Sequence, residues 1–384
     1  ARESCSEPAR ESCSESRPAS FWGNHLGPKT GKDWSWWEPR RLSWLLVLLV
    51  LPVAVHAQFN YTTNESGATI TGYVGPGGEV TIPETIEGLP VTGIGDSAFL
   101  ALTNLTSVTL PDSVTNLGVY AFYDCAGLTS VALPAGVTGI GMEAFSGCRS
   151  LASVTIPDGV TQIEPGTFRD CTSLASVGIG RGVTNVEELA FRGCTNLTAF
   201  EVDPLNEAFS SLDGVLLDKS QTALVAWPEG KVGSYTIPAS VNYIEDEAFG
   251  GGAGVTSIVV PGGVTSIGDE VFSGCAGLAE VTIPEGVTSI GCSAFYGCTN
   301  LVRLTVPSSV TSIGDSAFSG CAGLAEVTLP DGVTDIGAAA FYGCSDLVSA
   351  AIPAGVTNVG WYAFAGCAGL SSVTIPRGVT VIGG

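Results

Sequence analysis

The hydrophobic pattern of this chain repeats every 23 residues. Phe stands at 99, 122, 145, 168 and 191, and again at 249, 272, 295, 318, 341 and 364. Each step is 23 residues except 191 to 249, which is 58, so one coil carries 12 extra residues. Eleven residues before the Phe stands a proline, as at Pro111, Pro134, Pro157, Pro238, Pro261, Pro284, Pro307, Pro330 and Pro353. A representative coil runs Leu278-Ala-Glu-Val281-Thr-Ile283-Pro284-Glu-Gly-Val287-Thr-Ser-Ile290-Gly-Cys-Ser-Ala294-Phe295. Val281 and Ile283 keep the two-residue spacing of one strand face. Pro284 ends that strand, because proline cannot donate to a ladder. Val287 and Ile290 mark a second short extended piece. Asp315-Ser-Ala-Phe318 then predicts a one-turn helix, with Asp315 as N-cap and Gly320 as its left-handed end. One coil cannot bury its apolar side alone, so stability must come from stacking on neighbours. The expected fold class is an α/β repeat solenoid, an array of coils each made of short parallel strands plus a one-turn helix.

The breaks in the period set the boundaries. Residues 1–39 lack apolar periodicity and contain Ala-Arg-Glu-Ser-Cys-Ser-Glu twice; they read as a non-native or disordered leader. Arg40 and Arg41, the apolar run from Leu42 to Val55 and the ending Val55-His-Ala57 have the form of a secretory signal peptide over 40–57. The run is shorter than the about 20 residues of a membrane span; an uncleaved signal anchor is the alternative. Residues 58–90 are expected to form an N-terminal cap and 91–384 the solenoid. Between 204 and 237, Val215-Leu-Leu and Ala223-Leu-Val-Ala-Trp227 flank polar Asp218–Gln221. That arrangement predicts a protruding hairpin. The next Phe is due three residues beyond Gly384, so a coil cut short is expected at the C-terminus.

Charge narrows the partners. From Gln58 onward there are 31 acidic and 8 basic residues, a net of −23. Phosphate backbones need Lys and Arg, so nucleic acid is excluded as a partner. Anionic lipid surfaces are disfavoured for the same reason, and no membrane insertion is expected after signal cleavage. His25 and His56 are the only histidines, and both precede Gln58. That removes the usual Ser-His-Asp and Cys-His nucleophiles and histidine-based zinc or iron sites. No cofactor motif is present. Nine cysteines stand three residues after the repeat Phe, where the first coil has Leu102. An apolar slot suits a small buried thiol, although adjacent rungs also lie within disulfide reach. Cys292 differs: it fills the slot of Asp96, Asp269 and Asp315 and is the candidate reactive thiol.

The candidate ligand face lies on the outward slots of the first strand, namely Thr282, Arg303, Thr305, Glu326 and Thr328. A second Thr row follows the Val of each coil, from Thr115 to Thr380; Thr suits exposed strand positions, and a regular hydroxyl array for a glycan or ice is the sharper alternative. Glu280 and Glu326 stand two coils apart, roughly 10 Å by strand spacing, near the limit for a pair of hydrolytic carboxylates. The unit Leu-x-x-Val-x-Ile-Pro-x-x-Val-x-x-Ile-Gly-x-x-Ala-Phe-x-Gly-Cys resembles the BspA-type leucine-rich repeat over about residues 80–384. That resemblance implies a right-handed leucine-rich-repeat solenoid on a bacterial or protist surface. It also implies adhesion to matrix proteins or other cells, and it brings no catalytic residues. The expected role is a secreted or cell-surface scaffold, not an enzyme. It would bind an extracellular protein or glycan on its concave strand face. A spacer presenting another domain is the alternative reading, and a hydrolase the weaker one.

Overall fold

The computed structural model describes residues 57–383. The leader and most of the signal-peptide segment lie outside the described residues. Each coil contributes a strand of three to five residues, such as Glu280–Thr282, and a two-residue strand, such as Ser289–Ile290. Like strands of successive coils pair in parallel at a register of 23. Ser153 faces Ser176 and then Ala199, while Ile267, Ile290, Ile313 and Ile336 line up in turn. Sequence period and ladder register are therefore the same quantity.

The predicted one-turn helices do not form; there is no α-helix among the described residues. Each such segment is instead a hydrogen-bonded turn that spends alternate amides on the next coil. In the coil of Phe318, the amides of Ser316, Phe318 and Gly320 donate to the carbonyls of Ala338, Ala340 and Tyr342 at 2.7–2.8 Å. The intervening amides close short i to i−3 bonds, as Ser319 to Ser316 and Cys321 to Phe318. A helix needs those same donors for its own i−4 carbonyls, so the ladder between coils displaces it. The backbone follows: the residues two before and two after the Phe are left-handed in all eleven coils, as at Ser316 (φ 55°) and Gly320 (φ 72°). The aspartates are not caps of their own turns either. Asp315 Oδ1 accepts the Ala338 amide of the next coil at 2.6 Å, and Asp269 accepts that of Cys292 at 2.7 Å.

This conformation reverses the usual effect of glycine. A left-handed L-residue costs about 1–2 kcal/mol, which glycine relieves. Glycine's extra freedom in the unfolded chain costs about 0.5–1 kcal/mol in return. Ser316→Gly is expected to match wild type or gain up to about 1.5 kcal/mol by urea denaturation. Ala317→Gly, one residue on and fully buried, is expected to lose more than about 1 kcal/mol. Equal losses for the two variants would contradict the left-handed turn.

Two side-chain columns run through the core. The repeat phenylalanines stack face to face or tilted at 4.9–5.7 Å from Phe99 to Phe191 and at 5.1–5.3 Å from Phe249 to Phe364. Beside them, each of the nine ladder cysteines donates its thiol to the carbonyl of the preceding coil's Phe at 3.0–3.2 Å. Burial pushes the thiols of Cys125 and Cys275 up to about 12. They stay protonated, and a protonated thiol is a donor and a poor nucleophile. Cys292 is half-buried in its Asp slot.

The first rung is a hairpin, Phe59–Asn64 against Gly67–Tyr73, whose second strand pairs in parallel with Leu89–Ile94. Tyr73 extends the aromatic column by stacking on Phe99 at 5.5 Å. The insertion does contain a hairpin, but it does not protrude. Strands Phe209–Leu212, Val215–Asp218 and Ala223–Ala226 form an antiparallel meander, and the last joins Tyr243–Ile244 in parallel. Val215, Leu216, Leu217 and Leu224 are fully buried. Leu216 packs with the N-terminal core cluster, whereas Val215 and Leu217 pack with the C-terminal one. A strand of alternating direction thus becomes a partition between two stretches of core. The polar Asp218 closes the hairpin. Its carboxylate accepts the Thr222 and Ala223 amides at 2.6 and 2.8 Å and the hydroxyls of Ser220 and Thr222. Partial burial raises its carboxyl, but these bonds outweigh burial and hold it below the usual range.

Candidate functional site

Thr282, Arg303, Thr305, Glu326 and Thr328 all stand exposed on the strands Glu280–Thr282, Arg303–Thr305 and Glu326–Thr328. Arg303 is in register with Glu326, and Thr305 with Thr328. The core-facing Val281, Leu304 and Val327 between them are buried. The face is therefore an outcome of strand alternation. Arg303 is one 23-residue step from both Glu280 and Glu326, on a strand that contacts the strands of both, so a cation lies between the two carboxylates of the hydrolytic pair. Both are open to solvent. The second Thr row is different. Thr288, Thr311, Thr334, Thr357 and Thr380 each donate their hydroxyl to the backbone carbonyl of the Thr one coil back, at 3.1–3.5 Å. Its donors are spent inside the ladder, which removes the basis for a free hydroxyl array there.

The structure shows a second feature that the strand pattern did not indicate. In nine of eleven coils all three alternate turn amides bond forward to the next coil. The coil of Phe191 is the internal exception, because the insertion follows it. Its Gly193 amide is taken by the Glu229 carboxylate at 2.8 Å, and the Ala248 carbonyl, the counterpart of the Phe191 amide in this pattern, accepts the Trp227 amide at 2.7 Å. Trp227 stacks on Phe249 at 5.3 Å and so stands in for the missing phenylalanine. The substitution is incomplete. The amides of Leu189 and Phe191, and the carbonyls of Asp246 and Gly250, find no hydrogen-bond partner among the described residues. The unfilled part of the rung is a cleft of about 490 Å³.

Its walls are acidic. Glu187 and Glu188 line one side, Glu245, Asp246 and Glu247 the other, with Asp218 and Glu229 beside them; Arg192 is the one cation in the lining. Arg192 Nε approaches Glu229 at 4.0 Å, and its buried Nη1 has no hydrogen-bond partner. The guanidinium lies against Gly250, where a Cβ would sit 2.0 Å from Nη1. Burial pushes the carboxyl of Glu229 above its ordinary value, against the Gly193 amide and Arg192. Glu247 is raised by burial and then by Glu270, and Glu245 by burial and Asp246. Burial is the first cause at all three, and like charge adds to it, from Asp246 at Glu245 and from Glu270, Glu188 and Asp246 at Glu247. The lone signal for this site in the sequence is the acidic pair Glu187-Glu188 matched by Glu245-Asp246-Glu247 on either side of the 58-residue step.

Comparison with known proteins agrees with the fold. A leucine rich cell surface protein from Faecalibacterium prausnitzii is 30% identical, with a TM-score of 0.55 over 82% of this chain and 92% of that one. A leucine-rich repeat protein from Eubacterium ventriosum is 27% identical, with a TM-score of 0.63 over 84% and 95%. The pneumococcal vaccine antigen PcpA shares the fold at 19% identity, with a TM-score of 0.63 over 85% and 97%. No curated protein matches. The family model described as the BspA type leucine rich repeat region matches 6 copies over residues 80–211, 227–305 and 265–384. With its period, proline, Ala-Phe and cysteine positions all explained by one stacked coil, the chain belongs to the BspA type leucine rich repeat family.

Proposed function

We propose that the protein is a secreted or cell-surface binding scaffold. It acts in adhesion by contact with an extracellular protein or glycan on its exposed strand face. The observation that carries this reading is the row of Thr282, Thr305 and Thr328 beside Arg303 and Glu326. The Thr hydroxyls have no hydrogen-bond partner among the described residues, unlike those of the second Thr row. Arg303 and Glu326 are also absent from the four ion pairs of the described residues. Charged and hydroxyl groups held on a stiff ladder give specificity at little ordering cost. The relationship to a cell surface protein supports the location.

The test is direct binding of the purified protein to immobilised matrix proteins, glycans and cell surfaces. Saturable binding to at least one is expected. Arg303→Glu is expected to weaken it by about tenfold or more, as for a charge reversed in the centre of an interface. Binding that ignores substitutions across all five positions would remove the strand face from consideration.

A further inference from the structure

We propose that the cleft beside the insertion binds a short, extended, basic segment of a partner polypeptide, which completes the unfilled rung. The inference adds a second site and does not rest on the strand face.

The geometry asks for a peptide backbone. The Leu189 and Phe191 amides lie in the same left-handed turn that bonds forward elsewhere, with Leu189 at φ 60°. Such amides need acceptors. On the opposite wall the Asp246 and Gly250 carbonyls need donors. A backbone segment is the ligand that supplies both at the spacing of one coil, as in strand addition to an open edge. The cleft falls within the size range of small-ligand sites, with room for a few residues.

Charge selects the segment. Seven carboxylates and a single guanidinium line the cleft, so an anionic ligand would be repelled. Lys or Arg side chains would offset the like charge that Asp246 places on Glu245 and that Glu188 and Asp246 place on Glu247. A bare metal ion fits less well, because no group of three or more ligating side chains converges among the described residues.

The test is calorimetric titration of the full chain with acetyl-Lys-Val-Lys-Val-Lys-amide. Spermidine serves as a probe of matching charge without backbone carbonyls. Saturable binding of the peptide is expected, about tenfold or more tighter than spermidine. The Glu188→Gln/Glu247→Gln variant is expected to lose about tenfold, with an unchanged melting temperature as the check on folding. Glu326→Gln on the strand face is expected to bind the peptide as wild type does. No peptide binding, or equal affinity for spermidine, overturns the proposal. Binding lost in Glu326→Gln and kept in the cleft variant also overturns it, and moves the peptide to the strand face. Peptide binding at the cleft with no ligand on the strand face would sink only the earlier reading.

Discussion

Asn206→Ala is expected to destabilise the protein by about 4 kcal/mol or more. Asn206 is fully buried at the entry to the insertion. Its Nδ2 donates to the carbonyls of Gly180 and Val183 at 2.8 and 2.9 Å, and its Oδ1 accepts the amides of Ala208 and Phe209 at 2.8 and 2.7 Å. One side chain thus ties the first coil block to the start of the meander. Alanine strips its partner from the Val183 carbonyl and the Ala208 and Phe209 amides and leaves the Gly180 carbonyl only the Val183 amide at 3.3 Å, each lost partner costing about 1–3 kcal/mol when buried. Asn206→Asp separates the donors from the acceptors. An ionised carboxylate still accepts both amides but faces two carbonyls with no proton to give. Its folded-state pKa is therefore raised, and its cost is present at neutral pH and relieved as pH falls into the carboxylate range. Urea denaturation at pH 7 and pH 4 reads both effects. An alanine variant within about 1 kcal/mol of wild type would mean that the block is not held here.

Phe295→Ala is expected to cost about 3–5 kcal/mol, and the damage should be local. The ring is fully buried and lies 5.1 Å from Phe272 and 5.3 Å from Phe318. Removing it opens a cavity and breaks two aromatic contacts, each worth about 0.5–1.5 kcal/mol beyond burial. Phe295→Leu keeps most of the volume and should cost about 1–2 kcal/mol. In a stack, each coil touches only its neighbours, so lost stability does not spread evenly. Hydrogen exchange should accelerate in the coils from Phe249 to Phe341 well before the coils from Phe99 to Phe168. Uniform acceleration along the whole chain would show that the partition at Val215–Asp218 does not divide the fold.

Much of the coil was legible beforehand because one small pattern is written many times. Val281, Ile283, Val287, Ile290 and Phe295 are buried as their spacing implies, and the outward slots carrying Arg303 and Glu326 are exposed for the same reason. The one-turn helix was misread because local signals at Asp315, Ala317 and Gly320 favour a helix, while the competing acceptors sit 23 residues away in the next coil. No local pattern reveals that an amide has a better partner outside its own segment. The second Thr row shows the same limit: its hydroxyls face outward in sequence terms but bond back along the ladder.

The cleft was legible only as acids flanking the 58-residue step. The extra residues and the flanking acids were visible, but what makes the site is a mismatch between two coils held apart by the meander. Which amides are left unpaired depends on how far Trp227 and Glu229 fill the gap, and that is fixed only when Trp227 stacks on Phe249. The sequence by itself determined the period, the inward and outward positions and the family, because each follows from side-chain alternation and neighbour stacking. The tertiary structure alone decided where the ladder fails and which polar groups remain open to a partner. Hydrogen bonding between coils is satisfied or left open in three dimensions, between residues far apart in the chain.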